Sequence, residues 1–497
     1  MAIKRYKAIA DTTITNAFEG NLRVRGTNAN MGNSDILEVF SLYGAAGTTH
    51  QELERVLMKF PIDEIAADRL AEEVPAQGNV SFYLKVYNAP HGQTLPRNLT
   101  ISAKEVTTAW QEGIGLDMEE YKDKTYGNAG ATWLSASDTT AWTRMGGDYA
   151  ATEYNQTLID GTEDLEIDIT TLVESWLTAP ASNHGIGLHL TASEEAYYSG
   201  SSAADGTEGE LNNLAGSTSN YYTKKFFARS SEFFFKHPAI EARWNSRIGD
   251  DRGNFYASSS MVPAADNLNT IYLYNISRGQ YTDIPNYDTD LNLRLYEVLG
   301  GSTLVTSPQP PTINRISAGV YAASFALDTT ASVVYDVWYS GESETRVNFH
   351  TGTINVKAHA GSTHQPNTKH YCNITNLKSV YSTDETPRLQ LYVRPKDWSP
   401  TIYTVATTEI DATIIDKAAY KVYRVVDDLE VIPYGTGSSN HTIMSYDERG
   451  NHFDLDMSLL QLDYAYGIKV AFYNPSTKSY VEQSPTWKFR VEDLDRK

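Results

Sequence analysis

Apolar and polar residues alternate in short runs along most of this chain, and Gly, Asn, Ser and Pro repeatedly cut those runs. An alternation of period two buries one face of an extended segment, so each run predicts a strand. ILEVF at 36–40, SFYLKVY at 81–87 and HGIGLHL at 184–190 are examples, and ELERVLMKF at 52–60 closes with Arg55, Lys59 and Phe60. Two stretches depart from this period. Ile62, Ile65, Ala66 and Leu70 fall at helical spacing within IDEIAADRLAEE (62–73), predicting a short surface helix stopped by Pro75. TTLVESWL at 170–177 predicts a second turn of helix, broken by Pro180.

The punctuation of the chain suggests three domains. Residues 193–220 are rich in Ser, Gly, Ala and Asn and read as a long exposed loop. The run 224–244 resumes as one apolar strand returning to the first domain's sheet, so that domain is expected to span 1–248. From 249 to 360 the period-two pattern is clean: TIYLYNI, LNLRLYEV, VYAASFAL and VVYDVWY are separated by Gly/Pro/Ser turns. Leu291, Leu293 and Leu295 are expected on one face, with Asn292, Arg294 and Tyr296 on the other. This predicts an immunoglobulin-like sandwich. AHAGSTHQPNT (358–368) reads as a linker, and strands such as LQLYVRPKDW, KVYRVV and YGIKVAFY then form a third β-domain over 361–497. The expected class is all-β: serial β-sandwiches.

Composition agrees with folded β-domains. Tyr, at 33 residues, is abundant, and hydrophobic residues make up 41% of the 497. With a net charge of −21 the chain is a poor candidate for binding bare nucleic acid, because phosphate binding is driven by lysine and arginine. Cys372 is the sole cysteine, which rules out an intrachain disulfide and any cysteine-rich metal site. The opening MAIKRYKAIAD has no apolar stretch of signal-peptide length and no transmembrane run occurs, so synthesis in the cytoplasm without membrane insertion is expected.

Catalytic signatures are missing from the sequence. Eleven histidines show neither HExxH nor Cys–His spacing, and there is no GxSxG elbow or phosphate loop. Acidic pairs such as Glu119–Glu120 and Asp427–Asp428 arise by chance among 62 acidic residues, and neighbours on a strand point to opposite faces. The chain is not expected to be an enzyme.

The order Asp11 with Ile14, Arg55–Lys59–Phe60, Trp110–Glu112–Gly113, Trp133, Trp142, GGD at 146–148, DIT at 168–170 and Trp176 resembles the DNRLRE family. That family is a jelly-roll-like β-sandwich module related to carbohydrate-binding modules, and the likeness covers roughly the first two-fifths of the chain. The resemblance implies that Trp110, Trp133, Trp142 and Trp176 fill the sandwich core. Exposed aromatics for glycan stacking would then be Tyr197, Tyr198, Tyr221 and Tyr222, which flank the 193–220 loop. No cofactor is expected. Ca²⁺ is conceivable at Asp11 or at Gly146, Gly147 and Asp148, although turn use of the glycines is the simpler reading.

Beyond the module, the strings MAIKRYKAIADTTITNAF, SDILEVFSLYG, FFARSSEFFFKHPAIEARW and KVYRVVDDLEVIPYGTGSSNHTIMSYDERGNHFDLDM resemble structural proteins of large tailed bacteriophages of the marine myovirus type. This implies a virion component in the tail, neck or baseplate, or on the head. It would bind other virion proteins as a homo-oligomer. The alternative is a carbohydrate-binding adhesin contacting host surface glycans.

Overall fold

The structure is a computed structural model that describes residues 2–20, 22–47, 49–91, 97–116, 130–200, 204–341, 346–359, 368–399 and 412–493. The chain divides into two compact units, Ala2–Trp244 and Asn245–Lys497. Both are β-sandwiches in construction, so the all-β class and its serial arrangement are as the alternation predicts.

In the first unit, the strands are β1 (Ile3–Lys7), β2 (Ala10–Thr15), β3 (Ile36–Tyr43), β4 (Gln51–Lys59), β5 (Val80–Val86) and β6 (Leu99–Glu105). They continue as β7 (Tyr154–Leu158), β8 (Leu165–Asp168), β9 (Ile186–Leu190), β10 (Tyr221–Phe227) and β11 (Ala239–Trp244). One sheet has the order β1-β11-β5-β8; the other runs β10-β3-β4-β9-β6-β7, with β2 pairing to β4. The core between them holds Val56 and Met58 of β4, Phe82 and Leu84 of β5, Ile101 and Ala103 of β6, and Ile186 and Leu188 of β9. Two helices, α1 (Ile62–Leu70) and α2 (Thr170–Thr178), add Ile62, Ile65, Val173 and Trp176 to this core. A paired contact joins them, Arg69 donating to both Glu174 oxygens at 2.7 Å.

The larger sheet carries a second apolar layer on its outer face. Leu53 and Leu57 of β4 pack there with Ile14, Val106, Trp133, Trp142, Ala196 and Leu211. Every residue of β4 except Lys59 is therefore buried.

Two expectations are corrected here. The run 224–244 is two strands in different sheets: β10 pairs with β3, while β11 pairs with β1 and β5. A short 3₁₀ turn over Phe234–Lys236 and then Pro238, which cannot donate to a ladder, break the run. The 193–220 segment is not simply an exposed loop. Gln51 Nε2 donates to the carbonyls of Ala196 and Leu211, bridges join Ala196 to Ser217 and Tyr198 to Asn213, and Ala196, Glu195, Glu210 and Leu211 are buried. The buried polar groups of β4 tie its two ends down.

In the second unit, Phe255–Tyr256, Val347–Lys357, Val333–Ser340 and Asn292–Tyr296 form one sheet, and Asn269–Tyr274, Val320–Leu327 and Thr306–Ser317 form another. Phe255, Leu273, Leu293, Leu295, Phe325 and Trp338 fill the space between them. Tyr296 is buried as well, against the expectation that it faces away from the leucines. It ends its strand, where the chain turns and bridges back through Thr303. A further pair of sheets follows. Arg388–Pro395 lies inside the first, between His370–Ile374 and Gly450–Asp454; Ala465–Asn474 lies inside the second, beside Ala418–Arg424. A short stretch joins the two sandwiches of this unit: Asp250 N donates to Tyr446 O, and Tyr446 N to Ile248 O, both at 2.9 Å. Most of the segment read as a linker, 360–367, lies outside the described residues.

Candidate functional site: an outward cleft on the first unit

The outward positions of three adjacent strands make the floor of a cleft of about 530 Å³ in the first unit. They are Arg55 on β4, His189 on β9 and Lys104 on β6. Alternation explains their common direction. Val56, Leu188 and Ala103 of the same strands enter the core between the sheets, so their sequence neighbours face the other way. Residues 143–151 form one wall, and Ala192, Glu195, Leu211, Asn212 and Asn213 of the tied-down segment form another.

The charges of this site are matched internally. Arg55 donates to both oxygens of Glu195, at 2.8 and 2.7 Å, and to the Gly146 carbonyl at 2.9 Å. Lys104 pairs with Glu153 at 2.6 Å, and Arg144 with Asp205 at 3.2 Å. Asp148 accepts from the backbone N–H groups of Thr143 and Arg144 and from the Thr108 hydroxyl. Although burial opposes it, these bonds hold the Asp148 carboxyl below its ordinary pKa.

His189 is the exception. It is 5% exposed, and its Nδ1 lies 2.6 Å from the Leu190 carbonyl. A carbonyl only accepts, so Nδ1 carries the proton and Nε2 is left as a bare acceptor. Nε2 has no partner among the described residues. Burial, reinforced by the Arg55 cation, pushes the imidazole down to about 4 and keeps it neutral near pH 7. Tyr149 lies beside it, with ring centroids 5.4 Å apart, over Gly187. A Cβ at Gly187 would come within 2.1 Å of the Tyr149 ring, so only glycine admits this packing.

The residues singled out in the sequence are placed elsewhere. Trp133 and Trp176 are fully buried, Trp142 nearly so, and Trp110 is half-buried with its indole N–H on the His184 carbonyl at 2.7 Å. Tyr197 and Tyr198 are half-buried; Tyr221 packs against the core from β10, and Tyr222 is exposed. None of the four tyrosines lines the cleft.

Gly146 and Gly147 have φ of 79° and 103°, the left-handed conformation that favours glycine, and a Cβ at Gly146 would meet the Trp133 ring. Asp11, pushed up to about 7 by burial, accepts from the Arg229 N–H at 2.6 Å, and the Arg229 side chain holds Glu112. Asp427 is paired with Arg424, while Glu119 and Glu120 lie outside the described residues.

His50, Glu208 and Glu210 come together without any sequence signal, in an arrangement whose spacing suits a metal ion. The guanidinium of Arg25 already sits among them, 2.5 Å from Glu210 and 3.2 Å from His50 Nδ1. A similar substitution occurs at Lys224, whose ammonium is caged by Asn88 Oδ1 and the carbonyls of Gly161 and Glu163 at 2.6–2.9 Å.

No protein-family model matches the chain, and no curated protein matches it. Among solved structures it is similar to one titled "Anomalous substructure of Titin-A168169". That similarity covers 48% of this chain and 95% of the other at 9% identity, with a TM-score of 0.16, a level from which nothing further about this chain follows. Its own sheets define it as a tandem β-sandwich protein with an outward cleft on the first unit.

Proposed function

We propose that the chain is a non-enzymatic structural component of a tailed-bacteriophage virion, working by protein–protein contact as one of several symmetric copies. The observation that carries this reading is the internal matching of charge at the cleft. Arg55 pairs with Glu195, Lys104 with Glu153 and Arg144 with Asp205, and Asp148 is held by two backbone N–H groups and a hydroxyl, as structural polar groups are. Serial sandwiches suit a repetitive particle part, and the resemblance of the strings quoted above to phage structural proteins supports a virion location. A mass-spectrometric inventory of purified particles, calibrated against the major capsid protein, tests it. Copy numbers that follow tail, neck or vertex symmetry support the proposal, hundreds of copies indicate head or tube decoration, and absence from particles sinks it.

A second reading, carbohydrate contact by the first unit, is favoured by one observation: the cleft opens from a sheet face and is lined by the Tyr149 ring and by hydroxyl and amide side chains.

A further inference from the structure

We propose that the second unit carries an oxyanion site: the guanidinium groups of Arg294 and Arg346, beside the hydroxyl of Tyr296, receive a doubly charged oxyanion of the phosphate or sulfate type. The inference is independent of the cleft and of both functional readings above.

The strands bring these groups together. Leu293 and Leu295 enter the core of their sandwich, so Arg294 between them leaves it, and it is exposed. Asn292 lies opposite Tyr339 in the pairing of the two strands, which sets the Tyr339 ring beside Arg294. Arg346, one residue before the strand Val347–Lys357, reaches the same ring. The guanidinium carbons of Arg294 and Arg346 lie 4.9 and 4.1 Å from its centroid. Although burial opposes it, hydrogen bonding from Arg346, Thr303 and Arg294 holds the Tyr296 phenol below its ordinary pKa, so both cations also reach that hydroxyl.

Two cations thus converge without an answering anion. Arg252 and Arg315 of the same sandwich are held by Asp336 and Asp283, but among the described residues Arg294 and Arg346 join no ion pair. Glu297, the acidic residue nearest to Arg294 in sequence, accepts from the Thr329 hydroxyl at 3.1 Å, and Glu342 and Glu344 lie outside the described residues. A shortage of carboxylates is not the reason, since the chain has 62 Asp and Glu to 41 Lys and Arg. Like charges held together repel, and an anion between them relieves the repulsion. Guanidinium groups offer oxyanions paired N–H donors in a fixed fork. Two of them balance a dianion, whereas a single carboxylate would leave one positive charge over.

Calorimetric titration of the full chain tests this at low, fixed ionic strength and pH 8, where phosphate is a dianion. The probes are inorganic phosphate, glycerol 3-phosphate and sulfate, with acetate as the singly charged comparison. At least one dianion is expected to bind and to raise Tm. Arg294→Gln and Arg346→Gln should each weaken that binding about tenfold or more, the worth of one charge-assisted hydrogen bond. Neither should lower the Tm of the anion-free protein, because neither breaks an ion pair. Arg278→Gln, at an exposed hairpin turn of the same sandwich, should leave binding unchanged. Should one glutamine variant fail to fold, the other decides. Tighter binding of glycerol 3-phosphate than of phosphate would assign the site to a phosphorylated molecule, and equal binding to the free ion.

Absence of dianion binding overturns the proposal, whatever supplies the counter-charge. So does binding unaltered by Arg294→Gln and Arg346→Gln, or an equal loss with Arg278→Gln. Acetate binding as tight as the dianions' would overturn the doubly charged class.

Discussion

Two inner strands of this protein, one in each unit, have opposite surroundings. β4 is buried along nearly its whole length, whereas Arg388–Pro395 alternates buried and accessible residues. Both lie inside their sheets and both bury an apolar face, with Val56 and Met58 in one and Leu389, Leu391 and Val393 in the other. They differ in what covers the second face. In the first unit a layer of loops seals the outer face of β4, so that Arg55 becomes a buried cation and needs Glu195. In the second, Arg388 remains half in water and pairs with Asp454 near the surface. The same residue type is thus structural in one setting and dispensable in the other, and the cleft described above forms where the second layer exists.

The comparison breaks most sharply at the buried pair. Arg55→Ala leaves Glu195 as an uncompensated buried charge and should cost the first unit about 3–5 kcal/mol. Hydrogen exchange read separately over the two units by mass spectrometry should show lost protection confined to 2–244. Equal loss in both units would mean that they do not unfold separately.

Gly187→Val comes next. Its side chain would occupy the place of the Tyr149 ring, and overpacking of this kind costs roughly 1–3 kcal/mol. An unchanged Tm would show that Tyr149 moves freely.

A pH effect sharpens the second unit. Burial pushes Asp250 up to about 7, against about 3.9 for an unfolded chain, despite the opposing charge of Arg252. The native state therefore holds this proton more tightly. The stability contributed is complete below about pH 3.9 and is lost as pH rises through 7. Asp250→Asn keeps a good capping side chain for the turn at Asp251–Asn254 and removes the titration. Urea unfolding at pH 5 and pH 8 should show the wild type losing roughly 2–3 kcal/mol more than the variant. Parallel losses would place the titrating group elsewhere.

The smallest effect is expected at Arg388→Ala, below ~1 kcal/mol, because its pair is solvent-screened. A loss as large as that of Arg55→Ala would erase the distinction between the two strands.

The strands were legible because alternation is local. VYAASFAL coincides with the observed strand Val320–Leu327, and the helices begin at Ile62 and Thr170 as their patterns indicate. The site was much less legible. ELERVLMKF does hold a clue, since two Glu and an Arg interrupt an otherwise apolar run, and HGIGLHL sets Gly187 and His189 on one face. Neither clue says what the outward face meets. The four tyrosines beside 193–220 drew attention because exposed aromatics stack on sugars, yet that segment lends the cleft Glu195, Leu211, Asn212 and Asn213 instead.

Sequence alone determined the all-β class and the positions of most strands and helices, whereas of the four tryptophans expected in the sandwich core only Trp176 lies there and Trp110, Trp133 and Trp142 pack in the outer layer. Periodicity, propensity and side-chain volume act over a few residues, and those residues are contiguous in the chain. Only the tertiary structure decided that β4, β9 and β6 lie side by side, that 224–244 splits between two sheets, and that 193–220 folds down onto Gln51 and Arg55. Those outcomes rest on pairings between residues some eighty or more positions apart, Arg55 being 140 from Glu195. Alternation records which side of a strand is buried, but not which distant segment buries it.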